Sequence, residues 1–324
     1  MKTYLLPHTS LHATRLAYGC MQLGGDWTRE PLTKDARAQA ARTVAAALEH
    51  GINFFDHADI YCRGKSESVF GEMIRELKIA RSSIILQSKC GIRFADDPNA
   101  GDPQRYDFSY AHIMRAVEGS LRRLQTDYLD ILLLHRPDAL VEPAEVARAF
   151  DELHRAGKVN YFGVSNHTAA QIELLQKFLP QPLIVNQVEL NLLHADLIDD
   201  GMFFNAPPRP YTDISGTLDY CRAREILIQA WAPVANGLLF APPQDAGVNA
   251  KRVAGLIAQL AQAKNTSKEA IALAWLLRHP APIQPILGTT KPERIAAGAL
   301  ADAVELTREE WYALLKAARG GPLP

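Results

Sequence analysis

The feature that most constrains this chain is an alternation. Eight short apolar runs, 15–20, 53–56, 84–89, 129–135, 161–165, 183–187, 226–231 and 283–288, are separated by longer stretches of helical period. Each run is rich in Ile, Leu, Val or Phe and too short for a helix, which is how a strand buried on both faces reads. The intervening stretches carry helix punctuation. Thr33 opens one that Gly51 closes, Ser66 opens one through Leu77, and Ser109 precedes Ile113, Val117, Leu121 and Leu124 on one face. Pro143 and Pro292 stand at first-turn positions, Thr168 and Ser267 at cap positions, and Thr307-Arg-Glu-Glu310 has the capping-box spacing.

Eight strands alternating with helices predict an α/β fold in which one parallel (β/α)8 barrel spans residues 1–324 and ends on a terminal helix. An open doubly wound sheet is the competing architecture. Its phosphate-binding fingerprint is absent after the first run, which reads Gly19-Cys-Met-Gln-Leu-Gly24-Gly25. A solenoid would need a fixed-period motif, and none recurs.

Composition narrows the function. A net charge of -1 offers no field for nucleic acid or an anionic membrane surface. Cys20, Cys62, Cys90 and Cys221 form neither a CxxC pair nor a metal-ligand spacing, so no zinc site or disulfide framework is expected. The first twenty residues lack an apolar signal core and no stretch reads as a membrane span, so the expected location is the cytoplasm.

The chemistry of a barrel gathers where its strands end. Here the runs end in Asp56 (with Tyr61 in the loop beyond), Lys89, His135, Ser165-Asn166, Gln187, Trp231 and Gly288-Thr289-Thr290. A buried lysine costs several kcal/mol unless paired, and Asp56 is its natural neighbour. His57 and His135 have no third ligand at sensible spacing, so no metal is expected.

The segment Gly51-Ile-Asn-Phe-Phe-Asp56-His-Ala-Asp-Ile-Tyr61 resembles the signature of the aldo-keto reductase superfamily. So do Ser88-Lys89-Cys-Gly, Leu133-Leu-His135-Arg-Pro-Asp138, Gly163-Val-Ser165-Asn166, Asn186-Gln187-Val-Glu189 and Pro285-Ile-Leu-Gly288-Thr-Thr-Lys291-Pro-Glu-Arg294, in order along the chain. The His-Ala-Asp-Ile-Tyr form and the long loop after strand three resemble a bacterial branch. The resemblance implies reduction of aldehydes or ketones by hydride from NADPH. It implies Tyr61 as general acid, Lys89 lowering its pKa, Asp56 holding Lys89, and His135 orienting the carbonyl. It also implies that Ser165, Asn166 and Gln187 hold the nicotinamide carboxamide while Trp231 stacks on the ring. Gly288, Thr289, Thr290, Lys291 and Arg294 would meet the phosphates at a helix start.

Some positions depart from the family pattern. Gly298 stands where many members have an asparagine for adenine, Cys62 where a glycine follows the tyrosine, and Ala232 where a serine follows the stacking aromatic. Loops 91–108, 190–216 (with Met202, Phe203, Phe204, Arg209 and Tyr211) and 234–249, together with Trp27, are expected to shape the pocket, the last loop folding over the cofactor. Two rival readings are a cofactor-sensing subunit with little turnover and a lyase that forms a Schiff base on Lys89.

Overall fold

The computed structural model describes residues 1–202 and 216–323. Phe203, Phe204, Arg209 and Tyr211, named above as pocket residues, lie outside the described residues. Eight parallel strands close into one barrel: β1 Ala17–Gly19, β2 Phe54–Asp56, β3 Ile85–Cys90, β4 Leu129–Leu134, β5 Val159–Ser165, β6 Leu183–Glu189, β7 Leu227–Trp231 and β8 Ile283–Leu287. Neighbours in sequence are neighbours in space, and β8 returns to β1 through Ile286↔Ala17. All eight expected strands are present, and the open-sheet alternative is excluded.

The caps explain why most helices start where they do. Thr33, Ser109, Thr168, Ser267 and Thr307 each accept a backbone N–H from the first turn, and at Thr168 and Thr307 the capping box is reciprocal. Pro143 and Pro292 occupy first-turn positions. Ser66 is the exception. The helix Lys65–Glu76 starts one turn element earlier, from Gly64 at φ 85°, and the Ser66 hydroxyl donates instead to the Met21 carbonyl at 3.0 Å. A left-handed glycine, which needs no side-chain cap, has taken the role given to the serine.

Two hairpins are additional to the expected elements. Thr3–Leu5 pairs antiparallel with His12–Thr14 across the base of the barrel, and Ile92–Arg93 pairs with Arg105–Tyr106 inside the loop after β3. A helix, Thr217–Ala223, precedes β7. Leu6 and Ala13 from the first hairpin pack with Ala17, Phe54, Ile85, Ile131, Leu227 and Ile286 as the lower interior of the barrel. The larger apolar cluster lies between strands and helices, and Cys90 belongs to it, so that side chain points away from the axis as expected.

Candidate active site

Lys89 is fully buried, two residues above Gln87 on the same face of β3. Its ammonium donates to Asp56 Oδ2 at 2.8 Å, to the His57 carbonyl at 2.7 Å and to Tyr61 Oη at 2.8 Å. An ammonium has three protons, and here each has an acceptor. The buried charge is thereby compensated by Asp56, itself 2% exposed, without which it would cost several kcal/mol. Tyr61 Oη accepts from Lys89, which leaves its own proton for another acceptor.

Burial raises the Tyr61 pKa, and Lys89 opposes that rise without cancelling it. The expected lowering by Lys89 is therefore outweighed: desolvation of a phenolate is the larger effect, and the phenol rests protonated. The His135 ring meets the Tyr61 ring edge-on, with centroids 5.8 Å apart. Burial, then the neighbouring Lys89 and Arg136 charges, hold the His135 pKa well below its ordinary value, so the imidazole is neutral. His57 is also neutral, pushed down to about 3 by burial, and packs edge-on against Phe70. Among the described residues no group of His, Cys, Asp or Glu is arranged to hold a metal.

The loop carrying Tyr61 is tightly turned. Cys62 and Arg63 have φ of 47° and 58°, left-handed values that cost a non-glycine residue roughly 1–2 kcal/mol each. This geometry is why a glycine suits position 62. Cys62 is retained by packing and by contacts from its thiol to the Met21 and Gly25 carbonyls, both at 3.2 Å. Gly24 lets the chains approach, since a Cβ there would lie 2.6 Å from Cys62 Cβ.

The second half of the site is built from β5 to β8. Ser165 and Gln187 are in register, and Asn166, at φ 63°, turns back over them. Asn166 Nδ2 donates to Ser165 Oγ at 2.7 Å, Ser165 Oγ donates to the Gln187 carbonyl at 2.9 Å, and Trp231 Nε1 donates to Asn166 Oδ1 at 3.1 Å. The Arg136 guanidinium lies over the Trp231 ring, 5.6 Å from its centroid. Sequence reading gave Arg136 no role; its place one residue beyond His135 at a strand end was the available signal. Ala232, Ala235 and Asn236 are also left-handed, so backbone strain gathers around this mouth.

Gly288, Thr289, Thr290 and Lys291 lead into the helix Pro292–Ala299 at the surface. The Thr290 carbonyl is held by Thr43 Oγ1 at 2.9 Å and the Thr289 carbonyl by Tyr18 Oη at 3.2 Å. Arg294 reaches Glu269 at 3.3 Å, and its guanidinium lies 5.6 Å from the Phe240 ring centroid. Phe240 belongs to the loop after β7, so that loop does reach Arg294. Gly298 is buried, and a Cβ there would meet Leu273 Cδ1 at 3.2 Å, so this position serves packing and supplies no amide.

The comparisons decide the family. The model of the Aldo/keto reductase family matches residues 15–319. The chain belongs to the aldo/keto reductase family. Its relatives in this family include a 6-dehydroglucose reductase of Novosphingobium aromaticivorans, 37% identical over 98% of this chain and 96% of its own length. The oxidoreductase YdhF of Escherichia coli is 36% identical over 93% of this chain and 94% of its own length. Among solved structures, the glycerol dehydrogenase of Gluconobacter oxydans superposes with a TM-score of 0.81 at 26% identity, covering 100% of this chain and 97% of the other. An aldo/keto reductase of Klebsiella pneumoniae, solved with NADP and acetate, superposes with a TM-score of 0.72 at 25% identity, covering 100% and 97%. This aldo/keto reductase is thus an oxidoreductase of a family that binds nicotinamide cofactors. Among its described residues no helix is long and apolar enough to cross a membrane.

Proposed function

We propose that this aldo/keto reductase reduces the carbonyl of an aldehyde or ketone to an alcohol with NADPH, and that Tyr61 is the general acid. The observation that carries the reading is the saturated Lys89 ammonium between Asp56 Oδ2 and Tyr61 Oη. The cofactor-side residues fit a nicotinamide nucleotide: a half-buried indole at Trp231, a clustered hydroxyl and amide at Ser165 and Asn166, and cations at a helix start. Bound NADPH supplies the hydride.

Tyr61 then delivers its Oη proton to the carbonyl oxygen. The phenolate left behind forms 2.8 Å from a full positive charge, which stabilises it where water is excluded. Asp56 keeps that charge fixed in direction. Neutral His135 orients the substrate oxygen by hydrogen bonding and does not compete as an acid. Ser165, Asn166 and the side-chain oxygen of Gln187, whose two amide protons are committed inside the barrel, would hold the carboxamide, Trp231 would stack, and Thr289, Thr290, Lys291 and Arg294 with the Gly288 turn would take the phosphates. Arg294 is the group through which the 2′-phosphate is preferred, in exchange for its contact with Glu269.

The direct test follows NADPH oxidation with aldehydes, ketones, α-diketones and, after the relatives named 6-dehydroglucose reductase, oxidised sugars. Tyr61→Phe should lower kcat by about 10²–10⁴, the range of a general acid, with NADPH binding retained. Tight NADPH binding without any carbonyl-dependent oxidation would replace this reading with a cofactor-sensing subunit.

A further inference from the structure

The barrel interior holds more polar atoms than the reaction uses. Gln87 on β3, Gln187 on β6, Gln229 on β7 and Gln284 on β8 are each at most 2% exposed. Gln87 Nε2 donates to Asp56 Oδ1 at 2.6 Å and, across the barrel, to Gln229 Oε1 at 2.8 Å. Gln187 Nε2 donates to the same two oxygens at 3.1 and 3.0 Å. Gln229 Nε2 donates to Gln284 Oε1 at 2.8 Å, and Gln284 Nε2 donates to the Thr14 carbonyl at 2.7 Å.

The direction of every bond in this chain is fixed. Asp56 Oδ2 already accepts from Lys89, and Oδ1 faces two amide groups, so the amides of Gln87 and Gln187 must donate. Both then use their remaining proton on Gln229 Oε1, which accepts twice, so the Gln229 amide nitrogen must donate onward. The far end is a backbone carbonyl, which can only accept. No amide can flip without leaving two donors or two acceptors face to face, and such a pair in a dry interior is costly.

We infer that Gln87 is a positioning residue for proton transfer, holding Asp56 so that Lys89 stays aimed at Tyr61. This rests on the reductase reading above. Of the two bonds to Asp56 Oδ1, the one from Gln87 is shorter, and Gln87 is the direct register partner of Asp56. The Gln87 bonds span the barrel, tying the carboxylate on β2 to β7. Without that amide, Asp56 is held at Oδ1 by Gln187 alone, and the carboxylate can turn about its own axis. Lys89 turns with it, and the stabilisation of the Tyr61 phenolate weakens. Gln87 is itself neutral; the titratable groups around Tyr61 are Lys89, Asp56, Cys20 and His135.

The test is Gln87→Met, which keeps length and volume and removes the donor. Ionisation of Tyr61 is read from the ultraviolet phenolate band as the difference from the same protein carrying Tyr61→Phe. The Tyr61 midpoint should rise by about one pH unit and kcat should fall about tenfold, with the KM for NADPH unchanged. Ile131→Val, a pure packing change on the register partner of Gln87, supplies the comparison for stability loss alone and should shift neither readout. If Gln87→Met does not fold, Gln87→Asn retracts the amide by one methylene and should move both readouts the same way. A folded variant with the wild-type Tyr61 midpoint and wild-type kcat overturns the inference. The titration needs no turnover, so it decides this point even if the wild-type protein reduces no carbonyl.

Discussion

The two halves of the barrel mouth are built to different standards. On the β2–β4 side, Asp56 and Lys89 are sealed from water, and every Lys89 proton is committed before any substrate arrives. On the β5–β8 side, Asn166, Trp231, Thr289 and Arg294 are half-buried and satisfy one another or a neighbour such as Glu269. The first half has its charges preorganised, which is what stabilising a developing phenolate demands. In the proposed reaction the second would exchange internal partners for a ligand's, and its side chains are held by bonds that can be given up. On the proposed mechanism, rigidity is placed where charge would form and adaptability where a large ligand would dock.

The comparison breaks most visibly at Asp56. Asp56→Ala leaves Lys89 buried without its counter-charge, and denaturant unfolding should show a loss of about 3–5 kcal/mol. A loss under about 1 kcal/mol would mean that the preorganised half is not preorganised. The adaptable half should respond in affinity instead. Arg294→Leu should weaken NADPH binding about tenfold by fluorescence titration and leave NADH and thermal stability little changed. Equal weakening of both nucleotides would remove Arg294 from 2′-phosphate recognition.

A pH-dependent effect sharpens the picture of the sealed side, where Asp59, His57 and Gln87 each bury a polar atom without a partner. Asp59, two residues before Tyr61, has Oδ1 buried without a hydrogen-bond partner, and burial followed by the nearby Glu67 raises its pKa to about 8. A carboxyl whose pKa is higher folded than unfolded favours the folded state while protonated. Its contribution is lost as pH rises from about 4 through 8. Asp59→Asn should therefore unfold at a higher temperature than wild type at pH 9, with a clearly smaller gain at pH 5. A gain at pH 5 as large as at pH 9 would contradict this assignment.

Much of this was legible in the sequence because barrel strands are continuous apolar runs and their polar ends stand out. Asp56, Lys89, His135 and Gln187 announce themselves in that way, and Thr33, Ser109, Thr168, Ser267 and Thr307 announce their helices through local side-chain chemistry. The three-residue hairpin strands Thr3–Leu5 and His12–Thr14 do not, since a three-residue strand has no period to read. Ser66 misled because its cap competes with Gly64, whose left-handed backbone is visible only in the structure. The glutamine chain was hidden for a different reason: Gln87, Gln229 and Gln284 each sit alone inside an apolar run, and partners 31 to 270 residues apart meet only after the barrel closes. The signal that was present is an amide where a buried strand should hold none, which demands a partner even before one can be named.

The small hairpin under the barrel has a consequence for traffic. With Leu6 and Ala13 packed into the lower interior, the vessel has a floor, and Thr14 behind it accepts the last amide of the chain above. Among the described residues the lower end is thus closed, so in the proposed reaction substrate, product and cofactor would pass through the upper mouth. In the proposed reaction Tyr61 would regain its proton from the same side, because the polar column below it consists of amides, which carry no readily ionised proton, and ends on a peptide carbonyl.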